Sequence, residues 1–302
     1  GSTTGTTSFT PTDDSNYEGS ETGIIAIDTV SGGSATENGT QSVTITITDD
    51  ESAPTVTLTS SASSIAENSG SSLTLTATLS GATNANVTVA LSTSGTGTEG
   101  TDYGTVSDIT ITAGSTTGTV SFTPTDDSVY EGNETGIIAI DTVSGGGATE
   151  NGTQSVTLTI TDNESAPTVT LTSSASSIAE NAGSSLTLTA TLSVATTANV
   201  TVGISTSGTG TEGSGGDYAT VSDITISAGA TTGTASFTPI DDSSYEGDET
   251  GIIAIATVSG GGASEDGTQS VTITISEDES GSALSINDVT TSNENATTHT
   301  FT

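Results

Sequence analysis

The chain has 302 residues, 37 of them Asp or Glu and one His, with no Lys, Arg, Cys, Met or Trp, so its formal net charge is −37. It can form no Lys/Arg salt bridge, and the charge argues against nucleic acid and anionic membrane surfaces as partners. Hydrophobic residues are 29% and aromatic residues 3% of the chain, too little for one large core, whereas the length suits two or three small domains.

No apolar run approaches the ~20 residues of a membrane span, so no membrane insertion is expected. The opening Gly-Ser-Thr-Thr-Gly lacks the basic and apolar regions of a signal peptide. Without cysteines, disulfides do not hold the chain together. High charge with low hydrophobicity reads as disorder unless a period is present. A period is present: "DDSNYEGSETGIIAIDTVSGG" at Asp13 returns with few changes at Asp126 and Asp241, 113 and 115 residues apart. The longer interval carries an insertion, "TEGSGGDY" against "TEGTDY". Residues 1–52 match the C-terminal part of a unit, 53–164 and 165–279 are complete units, and 280–302 read as the first strands of a further, diverged unit. The chain is therefore expected to be a window from a longer tandem array. The alternative is a subunit whose end domains are completed by neighbours.

Within the first complete unit, period-two alternation marks seven segments in order: "TVTLT", "SLTLTATLS", "NVTVALSTS", "DITIT", "GTVSFTPT", "TGIIAIDTV" and "QSVTLTIT". Gly, Asn, Asp and Ser clusters separate them. Apolar Val, Ile and Leu alternate with Thr and Ser, as half-buried antiparallel strands require. Seven short strands in a unit of this length predict an all-β protein of tandem antiparallel, immunoglobulin-like sandwiches. No segment has the length and pattern of a helix.

Successive antiparallel strands reverse direction, so the loops after strands one, three, five and seven share a pole. Those loops hold Glu67, Glu99, Asp102, Asp126, Asp127, Glu131, Glu134, Asp162 and Glu164, with Asp108 entering strand four; only Asp141 and Glu150 lie toward the other pole. Two carboxylates about 6 Å apart repel by roughly 3 kcal/mol at an effective dielectric near 20. With no cationic side chain to offset this, a hard divalent ion is the fitting counter-ion. Ca²⁺, with six to eight oxygen ligands, suits acids drawn from several loops better than Mg²⁺ does. The lack of Cys and a single His remove zinc and copper sites. The bland alternative is a solvated acidic surface, but mere solubility would spread charge over both poles.

These residues resemble a Calx-β domain, the calcium-binding sandwich of sodium/calcium exchangers and many extracellular adhesion proteins. The specific parts are the Glu of "SIAEN", the Asp-Tyr of "GTDY", the "DDxxYExxET" run and the terminal acids. The resemblance implies calcium ligands at Glu67, Asp102, Asp126, Asp127, Glu131, Glu134, Asp162 and Glu164. In the next unit it implies Glu180, Asp217, Asp241, Asp242, Glu246, Glu249, Glu277, Asp278 and Glu279. In the partial first unit it implies Asp13, Asp14, Glu18, Glu21, Asp49, Asp50 and Glu51. The family often ends in consecutive Asp residues, whereas the unit at 53–164 ends Asp162, Asn163, Glu164.

Other motifs carry less. "GTGTEG" at 95–100 and again at 208–213 matches a dinucleotide-binding pattern, but no helix follows, so a turn is the better reading. The lone His299 recurs in no unit, so no nucleophile and histidine pair repeats. Paired carboxylates suit glycoside hydrolysis only beside an aromatic-lined cleft, which a duplicated array poor in aromatics does not offer. Asn86, Asn151 and Asn199 sit in Asn-x-Thr sequons that abundant Thr produces by chance. No enzyme activity is expected. Consecutive units join through "DNESAPTVT", where Pro167 stiffens a connection with no flexible linker. The expectation is a structural segment of an extracellular bacterial adhesin or surface filament, with Ca²⁺ at inter-domain junctions rigidifying it. Its partners would be neighbouring repeats or subunits end to end, with a homopolymeric fibre as one form. The alternatives are a calcium sensor and a Thr-rich ice- or carbohydrate-binding surface.

Overall fold

Thr is β-branched and fits a pleated outer face while Val, Ile and Leu fill the inner one. A computed structural model of the chain describes residues 1–285 and realises that alternation strand by strand. In Leu73–Leu79, LTLTATL, every odd position is buried and every even one is at least partly exposed. All seven predicted segments of the first complete repeat are strands. Two very short strands join them, Ser64–Ala66 and Thr149–Glu150.

The strands form two sheets. One runs in the order Ser64–Ala66, Ser155–Thr161, Glu134–Ser144, Val87–Gly95, Ile109–Ile111; the other runs Thr149–Glu150, Thr55–Ser60, Leu73–Leu79, Thr117–Phe122. The long pairings are antiparallel, as predicted, but the short strands pair in parallel, Ser64–Ala66 with Ser155–Thr161 and Thr149–Glu150 with Thr55–Ser60. Each sandwich is thus antiparallel with a parallel strand at one edge of each sheet. The second repeat reproduces this arrangement, with sheets of five and four strands.

Inward side chains of both sheets make one core per repeat, including Val56, Leu75, Val89, Ile109, Ile138 and Leu158 in the first and their counterparts in the second. Tyr103 and Phe122 lie in the core with ring centroids 4.7 Å apart; Tyr218 and Phe237 repeat the pair at 4.8 Å. Aromatic residues are scarce, and each repeat spends one such pair in its interior, beneath the loops that carry its acids.

The described chain divides into two units. One comprises Gly1–Asp127 and Gly132–Asn163; the other comprises Ser128–Glu131 and the chain from Glu164. The first unit includes the partial repeat, whose strands Glu21–Ala26 and Ser42–Ile47 pair antiparallel. Ile25 there is 39% exposed, whereas its counterparts Ile138 and Ile253 are fully buried, because this hairpin has no facing sheet among the described residues. The predicted opening strands of a further repeat within 280–302 lie, from residue 286 on, outside the described residues, as does His299.

Candidate metal centre

Alternating strand direction gathers acidic loops, and only some of their acids meet. In the second unit, Glu180, Glu277, Asp278 and Glu279 each place an oxygen within 4.8 Å of the others, and Asp217, Glu246 and Glu249 form a second such group. In the first unit Glu67 and Asp162 approach each other equally closely, as do Asp102 and Glu134. Glu131 and Glu164 lie in segments belonging to the second unit. In the partial repeat Asp13, Asp50 and Glu51 form a group, and all seven acids singled out there, with Asp14, Glu18, Glu21 and Asp49, line one depression.

Backbone amides hold these carboxylates in place. Glu67 Oε1 accepts the amide of Asp127 at 2.9 Å, and Glu180 Oε1 accepts that of Asp242 at 3.2 Å. The terminal acid clamps the Tyr-Glu-Gly loop. Glu277 Oε2 accepts the amides of Glu246 and Gly247 at 2.5 and 2.8 Å, and Asp49 Oδ2 accepts those of Glu18 and Gly19 at 2.7 and 2.5 Å. Asp162 Oδ2 accepts the amide of Gly132 at 2.6 Å. Asp102 and Asp217 close their own loops by accepting the amides of Thr98 and Thr211.

Burial and mutual repulsion set the protonation of these groups. Glu67 is only 5% exposed and Asp102 9%. Burial, then the charges of Asp162, Asp127 and Asp126, push the Glu67 carboxyl up. Glu180 rises for the same reasons, with Glu277, Asp242 and Asp278 as the repelling charges. Burial, then a hydrogen bond and repulsion from Asp217, raise Glu249 to about 7; Glu246 rises through burial and the charge of Asp217. Glu279 is raised to about 7 by its hydrogen bond to Glu277 and by burial, while the amide of Glu246, the Glu279 hydrogen bond and the amide of Gly247 hold Glu277 down at about 2. In the partial repeat Glu51 is raised by its hydrogen bond to Asp49 and by burial; amides of Glu18 and Gly19 hold Asp49 low against the upward pull of burial.

Several acids fall outside the groups. Asp126, Asp127, Asp241 and Asp242 are exposed on their loops. Asp126 lines a hollow with Glu67, and the charge of Asp242 reaches Glu180 and Glu246. Asp108 is not at the pole: its Oδ1 accepts the amide of Leu91 in mid-strand at 3.0 Å, as Asp223 accepts that of Ile204 at 2.9 Å. The strand Ile109–Ile111 pairs only with Val87–Val89, so Asp108 begins halfway along its neighbour and completes the ladder with its side chain. Glu99 ties its loop to the strand Val87–Gly95, its two oxygens accepting Thr93 Oγ1 at 2.7 Å and the Val106 amide at 2.9 Å.

Sequence reasoning missed Asn133 and Asp248, whose Oδ1 atoms accept the amides of Asp162 and Glu277 at 3.2 and 3.1 Å and so complete a reciprocal clamp. It also missed Asn181, whose Nδ2 donates to Asp278 Oδ2 at 2.6 Å. The recurrence of Asn or Asp directly after Tyr-Glu-Gly was the available signal for the clamp.

The donor set fits a hard cation. It is entirely oxygen, the sequence holds no Lys or Arg to compensate it, and Glu279 Oε2 is buried without a hydrogen-bond partner. Among the described residues no helix is long and apolar enough to cross a membrane.

The model of the Calx-beta domain matches residues 49–164 and 162–279. No curated protein matches the chain. Among solved structures, CBD12 from CALX1.2 is 16% identical, covering 72% of this chain and 99% of that one, with a TM-score of 0.33. The apo-form Calx CBD1 domain is 20% identical over 36% of this chain and 99% of that one, with a TM-score of 0.32. The Yersinia pseudotuberculosis adhesin InvE is 15% identical over 73% of this chain and 58% of that one, with a TM-score of 0.33. Two matches that overlap at residues 162–164, together spanning both complete repeats and their terminal acids, make this chain a member of the Calx-beta domain family.

Proposed function

We propose that this chain is a calcium-binding structural segment of an extracellular bacterial adhesin or surface filament, without catalytic activity, and that Ca²⁺ neutralises its acidic loops and stiffens the connection between repeats. The observation that carries the reading is the group Glu180, Glu277, Asp278 and Glu279, which includes a buried carboxylate oxygen with no partner in a sequence devoid of cationic side chains. Glu180, Glu277, Asp278 and Glu279 would hold one ion and Asp217, Glu246 and Glu249 another, with Asp241 and Asp242 at the rim. The equivalent acids of 53–164 are Glu67, Asp102, Asp126, Asp127, Glu131, Glu134, Asp162 and Glu164; in 1–52 they are Asp13, Asp14, Glu18, Glu21, Asp49, Asp50 and Glu51.

The bound ion supplies positive charge and flexible oxygen coordination, which convert mutual repulsion into a cross-link between loops. Millimolar extracellular calcium would fill even weak sites. The absence of Lys and Arg removes trypsin-type cleavage sites, and the absence of Met and Cys removes readily oxidised side chains, both suited to an exposed location. The test is calorimetric titration of the full chain with calcium, followed by heat-capacity scans with calcium and with chelator. Several ions per repeat with a large calcium-dependent rise in Tm support the reading. No binding at millimolar calcium reduces the acids to solvated surface.

A further inference from the structure

The tyrosine of the repeated Asp-Asp-x-x-Tyr-Glu run has surroundings of its own, apart from the acid groups. In the first unit Tyr17, from the partial repeat, lies against the complete repeat. Its amide donates to Ala82 O at 2.8 Å, the Asn84 amide donates to Tyr17 O at 3.4 Å, and Asn84 Nδ2 donates to Glu18 Oε1 at 3.2 Å. Its ring faces Gly147 so closely that a Cβ there would stand 2.5 Å from Tyr17 Cε1. The second unit repeats the arrangement. Val129 and Tyr130 pair in parallel with Ala195 and Thr196, and a Cβ on Gly262 would stand 2.8 Å from Tyr130 Cε1.

The receiving surface is built to match. Thr83 and Thr196 are 1% exposed and fold back through Oγ1 onto Ala85 O and Ala198 O at 2.6 and 2.7 Å. Beside them lies a Gly-Gly-Gly loop with all three residues at positive φ. That backbone alone does not demand glycine at the third position. Ser34, the counterpart of Gly147 and Gly262, keeps φ at 58° against their 63° and 66°. What glycine provides at 147 and 262 is room for the phenol ring. Tyr245, the third copy of the plug, is 60% exposed.

We propose that this tyrosine is a docking residue and that the Thr- and Gly-rich loops of a following repeat are its socket. The inference rests on reading the chain as a structural array and names the residues by which one repeat recognises the next. Socket loops carrying Ser at the third position, as at Ser34, do not accept the plug.

Chymotryptic digestion of the full chain in millimolar calcium, followed by mass spectrometry, tests it. In the parent, cleavage after Tyr245 precedes cleavage after Tyr17 and Tyr130. Gly262→Ser raises cleavage after Tyr130 at least about tenfold, equivalent to ~1.4 kcal/mol of lost docking, while the core residues Tyr218 and Phe237 stay protected. Gly147→Ser does the same at Tyr17, with Tyr103 and Phe122 protected. An unchanged rate after Tyr130 in folded Gly262→Ser overturns the proposal. If that variant exposes Tyr218 and Phe237, hydrogen exchange of Tyr130→Ala decides: faster exchange confined to residues 195–199 and 260–263 supports docking, and no change there overturns it. Calcium titration of the same samples separates the two ideas, since a parent that binds no calcium defeats the functional reading and leaves the protease result standing.

Discussion

Glu67 reaches across sixty residues of sequence to accept the amide of Asp127, and Glu180 meets Asp242 in the same way in the next repeat. One carboxylate oxygen thereby fixes the Asp-Asp loop and the same group stays close to the terminal acid. The arrangement costs electrostatic energy when no ion is present, because burial and the charges of Asp162, Asp127 and Asp126 all act against ionised Glu67. A loop held in a repelling position by its own backbone is the arrangement that the proposed calcium binding would need.

Replacing Glu180 with Gln keeps an oxygen able to accept the Asp242 amide and removes one charge. Calcium affinity of the second repeat is expected to fall by about tenfold or more, ~1.4 kcal/mol, because a charged ligand of a hard ion is lost. The calcium-free protein is expected to become more stable, because Glu180 no longer faces Glu277, Asp242 and Asp278. Paired calorimetric scans in calcium and in chelator check both signs; a variant destabilised in both conditions contradicts the repulsion argument.

The raised carboxyls predict an unusual acid response of the calcium-free chain. Glu249 and Glu279 titrate near 7 when folded, against an ordinary value of 4.5. The stability they contribute is complete below pH 4.5 and is lost as the pH rises through 7. Glu277 is opposite, its folded value near 2 making a contribution that is present above 4.5 and lost as the pH falls toward 2. Tm in calcium-free buffer should therefore rise from pH 8 to about 5 and fall at stronger acid. At neutral pH calcium binding should release protons, seen as a dependence of the binding heat on buffer ionisation enthalpy. A Tm that declines steadily from pH 8 downward contradicts this.

The seven longer strands were legible because apolar and small or polar residues alternate along them, with Thr the outward residue in most and Ile-Ala-Ile carrying the period in Glu134–Ser144. Ser64–Ala66 and Thr149–Glu150 were not, since three and two residues carry no period, and their parallel pairing depends on distant partners. Strand parity placed Glu67, Asp102, Glu134 and Asp162 at one pole, and the structure pairs Glu67 with Asp162 and Asp102 with Glu134. Parity misplaced Asp108 because it treats strands as equal in length, whereas Ile109–Ile111 starts midway along its neighbour. It also could not separate Glu99, whose partners are Thr93 on the preceding strand Val87–Gly95 and Val106 in its own loop, from acids that face other loops.

Glu99 offers a control acid. Glu99→Ala removes both oxygens that the Thr93 hydroxyl and the Val106 amide donate to, and leaves the Val106 amide without its acceptor. An unsatisfied buried donor costs about 1–3 kcal/mol. Chemical denaturation should show that loss in the first repeat, while calorimetric titration should give the parent's number of calcium ions. A drop in stoichiometry would place Glu99 among the cation ligands instead.

The core beneath the acidic loops is tested at Gly136, in the strand Glu134–Ser144. A Cβ there would stand 3.0 Å from two atoms of the Phe122 ring and 3.7 Å from Tyr103 Cε1. Both rings are buried and packed on each other, so neither can swing away without opening the interior. Gly136→Ala therefore overpacks the core and should cost about 1–3 kcal/mol. Glu134 lies two residues away and Asp102 directly precedes Tyr103, so shifting the ring pair displaces two acids that meet within 4.8 Å. Calcium titration of Gly136→Ala should accordingly show weakened binding in the first repeat, with the second repeat unchanged. Loss of stability with calcium affinity intact would mean that the aromatic pair supports the sandwich without positioning the acids above it.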